Sequence, residues 1–515
     1  MRILYTLLLF CCIIFWSSCR NDFEFEPSTG QLEFSKDTVY LDTVFTNIGS
    51  STYNLKVYNR SDQDIRIPNV QLSQGESSSY RLNVDGVAGK VFRDVEILAN
   101  DSIFVFVETT ADIQELSQNA LEFLYEDAIL FDGGDNTQRV ELVTLIKDAV
   151  FLFPERDAMT GEVETLQLGT DPNGDPILIE GFFLEDNELT FTNEKPYVIY
   201  GFAAVGSNKT LTVNAGARVH FHANSGIIVA DQGSMQVNGE LSTDPELLEN
   251  EVIFESDRLE TAYSNIPGQW STIWLTAGST NHNFNYTTIK NGTVGLLMDS
   301  NDGGEDPTLT IRNSQIYNSS NIGLLSRTGS ILGENLVIAE AGQSAMVLEL
   351  GGSYEFNHST FVNYWSRSFR QTPAVVISNT FGETLAANLD QANFSNCIIY
   401  GRNDVEFGFS KANEAAFNFN FKNCLLRAND PNGNLEDDPL YNFSDMALYE
   451  SVILNEQPLF LDTDSNKLQI SLESPASAQG DQATANLVPL DLIGTNRTTN
   501  PDIGAYETIM FPDEN

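Results

Sequence analysis

Between Lys209 and Ser242 the chain reads KTLTVNAGARVHFHANSGIIVADQGSMQVNGELS, a succession of very short strands separated by Asn-Ala-Gly, Asn-Ser-Gly, Asp-Gln-Gly and Asn-Gly. Each strand offers only two or three inward residues. A strand that short cannot bury itself, so the pattern requires successive turns of chain to stack and bury one another. Farther on the same phrase is written twice: FSNCIIYG at Phe394–Gly401 returns as FKNCLLRA at Phe421–Ala428, an offset of 27 residues.

The repeat aligns on one apolar residue per coil, Ile289, Ile316, Ile338, Phe361, Ile399 and Leu426, at steps of 27, 22, 23, 38 and 27 residues. Five residues before this anchor stand Phe284, Ile311, Gly333, Phe356, Phe394 and Phe421. Two before it stand Thr287, Ser314, Leu336, Ser359, Cys397 and Cys424. Alternation along a strand turns the anchor and the residue two before it inward together. Three before the anchor stand Tyr286, Asn313, Asn335, His358, Asn396 and Asn423. Asparagine there marks a bend between two strands, because it tolerates left-handed backbone and bonds its neighbours. His358 is read as structural, and stacked asparagines can bond from coil to coil.

The paired cysteines then occupy an inward slot filled mostly by small residues, where a free cysteine behaves as a small hydrophobe. Strands lie about 4.8 Å apart, which a disulfide also tolerates, so stacked thiols and a disulfide both stay open. Four histidines (His220, His222, His282, His358) and no CxxC in the folded part leave a zinc site unsupported. His220 and His222 flank Phe221 on one strand and read as surface or stacking residues. The 38-residue step makes room for an insertion, and Ser368–Asp390 is expected to protrude as a loop. Asp299–Pro307, with Asp299, Asp302, Glu305 and Asp306, is a second protruding candidate.

Upstream the grammar differs. Leu32–Phe45, Tyr53–Asn59, Tyr80–Gly86, Asp101–Thr109 and Arg139–Ile146 alternate apolar and polar residues between turn clusters, which predicts a β-sandwich over residues 31–150. Asp85 and Asp101 sit beside turns and read as structural. Residues 151–195, rich in Asp, Gly and Pro, read as a connector, with DPNGDP (Asp171–Pro176) a turn lacking the later glutamate of a calcium loop. The stacked coils are expected over 196–430 and a C-terminal closing segment over 431–515.

The first residues, MRILYTLLLFCCIIFWSSC, carry one early charge, an apolar run and then small residues, the plan of a secretory signal segment over residues 1–18. Ser17-Ser18-Cys19 resembles a bacterial lipobox, which implies acylation of Cys19 and a lipid anchor. The acidic tether 19–30, with RNDFEFE after the cysteine, resembles the surface-export signal of Bacteroides-group lipoproteins. An outer-membrane location on the cell surface follows from that resemblance. Asp+Glu 72 against Lys+Arg 27 gives a net charge of −45, which argues against nucleic acid and anionic lipid as partners. The acidic shell reads as solubility, and calcium stays open as a ligand; no other cofactor is indicated.

Residues from about 197 to 428, and Ile266–Leu296 in particular, resemble the right-handed parallel β-helix of the pectate-lyase-like class in Bacteroides-group surface lipoproteins. SLESPASAQGD (Ser471–Asp481), LDLIGTNR (Leu490–Arg497) and PDIGAYE (Pro501–Glu507) resemble the closing segment of secreted bacterial β-helix proteins. DTVFTNIGSSTYNLKVYN and DSIFVFVE resemble an immunoglobulin-like leading domain, which implies a spacer. The resemblance implies an all-β protein, an immunoglobulin-like β-sandwich followed by a right-handed parallel β-helix. It says little about reaction. The long groove of such a fold and the acyl anchor suggest binding of extracellular glycan or a surface partner. Without an Asp-Asp or Asp-Glu pair recurring at matched positions of the coils, the expectation is binding without catalysis. The alternative is a polysaccharide lyase or glycoside hydrolase acting on an acidic polysaccharide, which needs two carboxylates, or calcium ligands and a basic residue. Arg367 and Arg370 with Glu383 and Asp390 are the enzyme candidates. Trp270 and Trp274, with Tyr364 and Trp365, could form a sugar platform. The ligand face is assigned to Trp270, Trp274, Arg367 and Arg370.

Overall fold

The computed structural model describes residues 24–382 and 384–511. Cys19 and Glu383 lie outside the described residues. The chain divides into two units, meeting between Asp148 and Ala149. Among the described residues no helix is long and apolar enough to cross a membrane.

The first unit is built from one six-stranded and one five-stranded sheet. Alternating strands from both feed a single core, with Val39, Ile67, Val140 and Leu142 from one sheet against Leu55, Val57, Val105 and Val107 from the other. The five alternating segments all contain strands. Longer strands that escaped the sequence reading are Ile65–Leu72, Val91–Ile97 and Glu122–Phe131. The first contains Pro68, which donates no ladder hydrogen bond and masks a strand pattern; the other two carry adjacent charges at Arg93-Asp94 and Glu126-Asp127. Part of the expected tether also belongs here, because Glu26–Pro27 pairs in parallel with Ile65 and Arg66 at the sheet edge.

The second unit is a parallel β-helix. Its sheet of 27 strands is coiled so that strands pair in parallel with strands mainly three elements farther along. Residues 282–285, 287–290 and 294–298 show one coil, and they define three faces, here A, B and C. All five anchor pairings occur in register: Ile289 on Ile316, Ile316 on Ile338, Ile338 on Phe361, Phe361 on Ile399 and Ile399 on Leu426. On face A the inward rings of Phe356, Phe394, Phe421 and Tyr449 stack with centroids 5.2, 4.9 and 5.6 Å apart. Such pairs add about 0.5–1.5 kcal/mol each beyond simple burial.

The corner between faces A and B is where asparagine was expected, and its residues are left-handed. φ is +42° at Tyr286, +47° at Asn313, +50° at Asn335, +46° at His358, +55° at Asn396 and +47° at Asn423. The amides link coils: Asn335 Nδ2 donates to Asn313 Oδ1 at 2.8 Å, and Asn313 Nδ2 to Asn285 Oδ1 at 2.9 Å. His358 continues the ladder through Nε2, 2.8 Å from Asn396 Nδ2. Cys397 and Cys424 are both buried free thiols, and the Cys397 backbone N–H lies 3.4 Å from Cys424 Sγ.

Three boundaries differ from the sequence reading. Residues 151–195 are not a connector but the first coil: Val150–Leu152 pairs with Tyr197–Ile199, Gly181–Phe183 with Phe202–Ala204, and Thr190–Phe191 with Thr212–Val213. These rungs are too short to announce themselves, yet they bury Leu152, Phe182 and Phe191 in the helix core. A hairpin of Thr165–Thr170 with residues 176–180 projects from them, and DPNGDP is its turn, with Asp171 Oδ1 accepting from the N–H groups of Asn173 and Asp175. The loop expected at Ser368–Asp390 contains a rung of its own, Val375–Ser378, paired with Met346–Leu348. What projects is the small hairpin of Thr380–Phe381 and Leu385–Ala386.

The third difference is the C-terminal segment. Tyr449–Glu450 and Ile453–Leu454 add further rungs on the last coil. The remaining tail then packs along the outside of face B. Val337, Val362, Ile398, Tyr400 and Leu425 of the helix meet Leu468, Ile470, Ala476, Ile503, Ala505 and Tyr506 of the tail. The corner asparagines serve this docking too: Asn335 donates to Leu490 O, Asn396 to Asp481 O and Asn423 to Gln479 O. Within the tail Arg497, with no exposed surface, donates to the carbonyls of Gly504 and Ala505 and lies 3.5 Å from Glu507.

Burial, with the charge of Asp502 beside it, pushes the Glu507 carboxyl up to about 7. A carboxyl raised in the folded state stabilises it fully below the ordinary value of about 4.5 and progressively less as pH rises through the folded value. The tail is therefore held more tightly at pH 5 than at pH 8. Hydrogen exchange over residues 490–511 is expected to quicken at least about tenfold between these pH values after correction for intrinsic rates. Glu507→Gln should flatten that difference; an unchanged pH response in this variant would refute the assignment.

Candidate functional site

Two residues after each anchor comes the corner between faces B and C. It too begins as an asparagine ladder, with left-handed Asn291 (φ +67°) and Asn318 (φ +56°) whose side chains lie 3.4 Å apart. The next coil places Glu340 there, still left-handed at φ +50°. Glutamate lacks the local side-chain bonding that lets asparagine adopt this conformation, and such strain costs on the order of 1–3 kcal/mol. Glu340 Oε1 accepts the Tyr364 N–H at 3.1 Å. Burial, followed in the same direction by Asp464, pushes this carboxyl above the usual range against the pull of the Tyr364 N–H, Arg402 and Arg367.

Glu340 opens into a cavity of about 470 Å³. Tyr317 and Asn318 line it from the helix, Asn265 from a lower coil, Ser366 and Arg367 from one loop, Arg402 from the next. The docked tail supplies the remaining wall with Asp464, Ser465 and Asn466, the turn between Phe460–Asp462 and Lys467–Ile470. Arg367 Nη2 donates to Asn265 O at 2.7 Å, and Arg402 Nη2 stands 3.9 Å from Asp464 Oδ1. The walls thus carry two guanidiniums and two carboxyls among amides and hydroxyls.

The residues assigned to a ligand face do not converge. Arg367 lines the cavity. Arg370 does not: its side chain is 3% exposed and forms a two-pronged pair with Glu406, at 2.5 and 2.9 Å. It also donates to the carbonyls of Asn363 and Thr372, while Glu406 accepts the N–H groups of Asn403 and Ala374. The pair staples the two loops that present Arg367 and Arg402. Sequence could not separate the two arginines, because the burial of one depends on Glu406, 36 residues away. Trp270 is in the core rather than on a ligand face, stacked on Phe221 at 4.3 Å with its indole N–H bonded to Lys290 O. Trp365 is buried and Tyr364 packs edge-on against Phe460 of the tail.

Trp274 does reach the surface of face C. It donates to Asp299 at 2.6 Å and lines a separate groove of about 460 Å³ with Leu166, Phe183 and Ile228. Asp390 is exposed on face A, away from the cavity lining. Asp299 is engaged by Arg327 at 2.9 Å, and Asp302 by Thr280 and Thr308. Among the described residues no three His, Cys, Asp or Glu side chains converge as metal ligands. His220 bonds to Ser256 O through Nδ1, and His222 stacks on Tyr200 at 4.4 Å. Glu340 was missed, although the column two after the anchor (Asn291, Asn318, Glu340, Asn363, Gly401, Ala428) contains a single charged residue.

No known family model matches the chain, and no curated protein does. Among solved structures, a family 123 glycoside hydrolase from Clostridium perfringens is 10% identical over 23% of this chain and 26% of its own, with TM-score 0.16. This chain therefore spans about a quarter of that hydrolase. Pectate lyase Pel9A is 11% identical over 70% of this chain and 96% of its own, at TM-score 0.26. The catalytic unit of a GH87 α-1,3-glucanase from Streptomyces thermodiastaticus strain HF3-3 is 10% identical over 73% and 84%, at 0.23. Likeness at these scores carries no functional weight.

The contrast between the two arginines is measurable. Arg370→Ala strands the Glu406 carboxylate in the interior, and breaking a buried pair from one side costs about 3–5 kcal/mol. Arg367→Ala removes an exposed side chain and is expected to cost within about 0.5 kcal/mol. Urea unfolding of both variants checks this ordering; equal midpoints would mean that Arg370 is not the staple described.

Proposed function

We propose that this protein binds an uncharged polysaccharide, gripping part of it in the cavity formed by Glu340, Arg367, Arg402 and Asp464. The observation that carries the reading is the cavity's balance of charge inside a strongly acidic protein. A net charge of −45 repels polyanions at long range, which disfavours the acidic polysaccharide of the alternative reading. Within the cavity two cations face two carboxyls, with amides and hydroxyls between them. A sugar hydroxyl both donates and accepts, so a chain rich in hydroxyls satisfies such walls without leaving a charge unpaired.

The same proposal includes the setting. The lipobox-like Ser17-Ser18-Cys19 and the acidic stretch after it support a lipid-anchored protein on the outer face of an outer membrane. The two-sheet first unit is proposed to be immunoglobulin-like and to serve as a spacer. The β-helix is proposed to be right-handed, the sense in which parallel crossovers overwhelmingly run.

Full-length protein in detergent, screened against mannan, xylan, dextran and β-glucan, is expected to bind at least one of them. The double variant Arg367→Ala/Arg402→Ala should weaken that binding at least about tenfold, the effect of one or two lost charge-assisted hydrogen bonds. Failure to bind any neutral polysaccharide, or equal binding by the double variant, would remove this reading.

A further inference from the structure

We propose that the cavity also hydrolyses the glycan it holds, with Glu340 delivering a proton to the leaving oxygen and Asp464 taking one from the attacking water. This inference rests on the binding reading above and adds an activity to the same site. Its starting point is the corner ladder. Asparagine fills the equivalent corner in the two preceding coils, at Asn291 and Asn318, and accepts left-handed backbone there; Glu340 holds the same conformation with an acid. Nothing in the stacking of coils calls for that acid. The Glu340 carboxyl makes no ion pair in the ladder and, among the described residues, takes one hydrogen bond, from the Tyr364 N–H to Oε1. The group is thereby oriented without being consumed.

Across the same cavity stands a second carboxyl of opposite character. The Asp464 side chain is 84% exposed, on the tight turn of the docked tail, with Arg402 3.9 Å away. One carboxyl is sheltered, kept toward its protonated form by burial and by the charge of the other; the second is wet and beside a guanidinium. Two carboxyls in unlike environments divide acid and base roles between them, and hydrolysis of a glycosidic bond requires such a division. The tail and the helix each contribute one, so the site is complete only when the tail is docked.

The uncharged substrate decides between the two ways of breaking a sugar chain. Elimination draws a ring proton acidified by a neighbouring carboxylate, which a neutral sugar lacks. Hydrolysis remains. The bond from the anomeric carbon to the leaving oxygen breaks, its electron pair stays on that oxygen, and the oxygen takes the Glu340 proton. Water oxygen bonds to the anomeric carbon and its proton passes to Asp464. One water is consumed, nothing is oxidised or reduced, and proton exchange with solvent restores both carboxyls. Arg367 and Arg402 hold hydroxyls and fix the ring between the acid and the base.

Glu340→Gln keeps the shape, and its amide oxygen can keep the Tyr364 bond, so binding and turnover separate in it. The full chain is incubated with the neutral polysaccharide it binds best, and new reducing ends are counted alongside a binding titration. Wild type is expected to release reducing ends, with a rate that falls as pH rises and Glu340 loses its proton. Glu340→Gln should lose about 10²–10⁴-fold in rate, the span of a general acid, and far more in rate than in binding; Asp464→Asn should show the same split. Binding by wild type without reducing ends between pH 4 and 8, or undiminished release by Glu340→Gln, would overturn the catalytic inference and leave the binding reading in place. Absence of binding altogether would remove the binding reading and the inference with it.

Discussion

In-register parallel pairing is the constraint on which the second unit depends. Each strand is only two to five residues long in most coils, and its hydrogen bonds go to coils above and below rather than to a neighbour in sequence. A parallel ladder places like on like, so one column of the sequence becomes one line of side chains: apolar at the anchor, mostly aromatic five before it, mostly small or sulfur-bearing two before it. The columns hold across coils of unequal length because insertions are expelled at corners, as in the hairpin of Thr380–Phe381 and Leu385–Ala386. The corners themselves are fixed by backbone: a sharp turn between strands needs positive φ, asparagine tolerates it, and its amide then bonds the asparagine of the next coil.

Stacking leaves the outside of each face to be dealt with, and the chain treats the faces differently. Face B alternates apolar residues on both sides, Val337 and Ile338 or Ile398 and Ile399, and a strand that is apolar on both sides is buried on both. The tail is what covers it. The same corner amides that hold coil to coil also hold the tail, so a structural ladder doubles as a docking rail. Buried polar groups in the tail are paired with one another, Arg497 with two carbonyls and Glu507, which is how charged residues endure such a place.

The candidate site follows from these two arrangements together. The ladder provides a position that accepts strained backbone, the loops between coils bring Arg367 and Arg402, and the returning tail closes the far wall with Asp464. The Arg370–Glu406 pair fixes the two loops from beneath. A buried pair does not by itself mark net stability. What this one does is bond both loops at once, through the carbonyls of Asn363 and Thr372 and the N–H groups of Ala374 and Asn403, and so fix the relative placement of the two cavity arginines.

The sequence by itself determined the coil. Short apolar segments, asparagine and glycine at fixed offsets and a repeated octapeptide leave stacking as the one way to bury them, and every anchor pairing read from those offsets is present. It also marked the turn at Asp171–Pro176 and most strands of the sandwich, because alternation and turn chemistry are local. Tertiary structure alone decided which arginine is exposed, that Trp270 lies in the core while Trp274 reaches the surface, and that the tail runs along face B to complete a cavity. Those outcomes depend on partners far apart in the chain, Glu406 for Arg370 and Asp464 for the cavity of Glu340, and pairing at such separations leaves no period in a sequence to be read. Glu340 falls between the two: its column is visible as a string of letters, but the cavity that gives an acid something to act on is made by loops and tail that converge only in three dimensions.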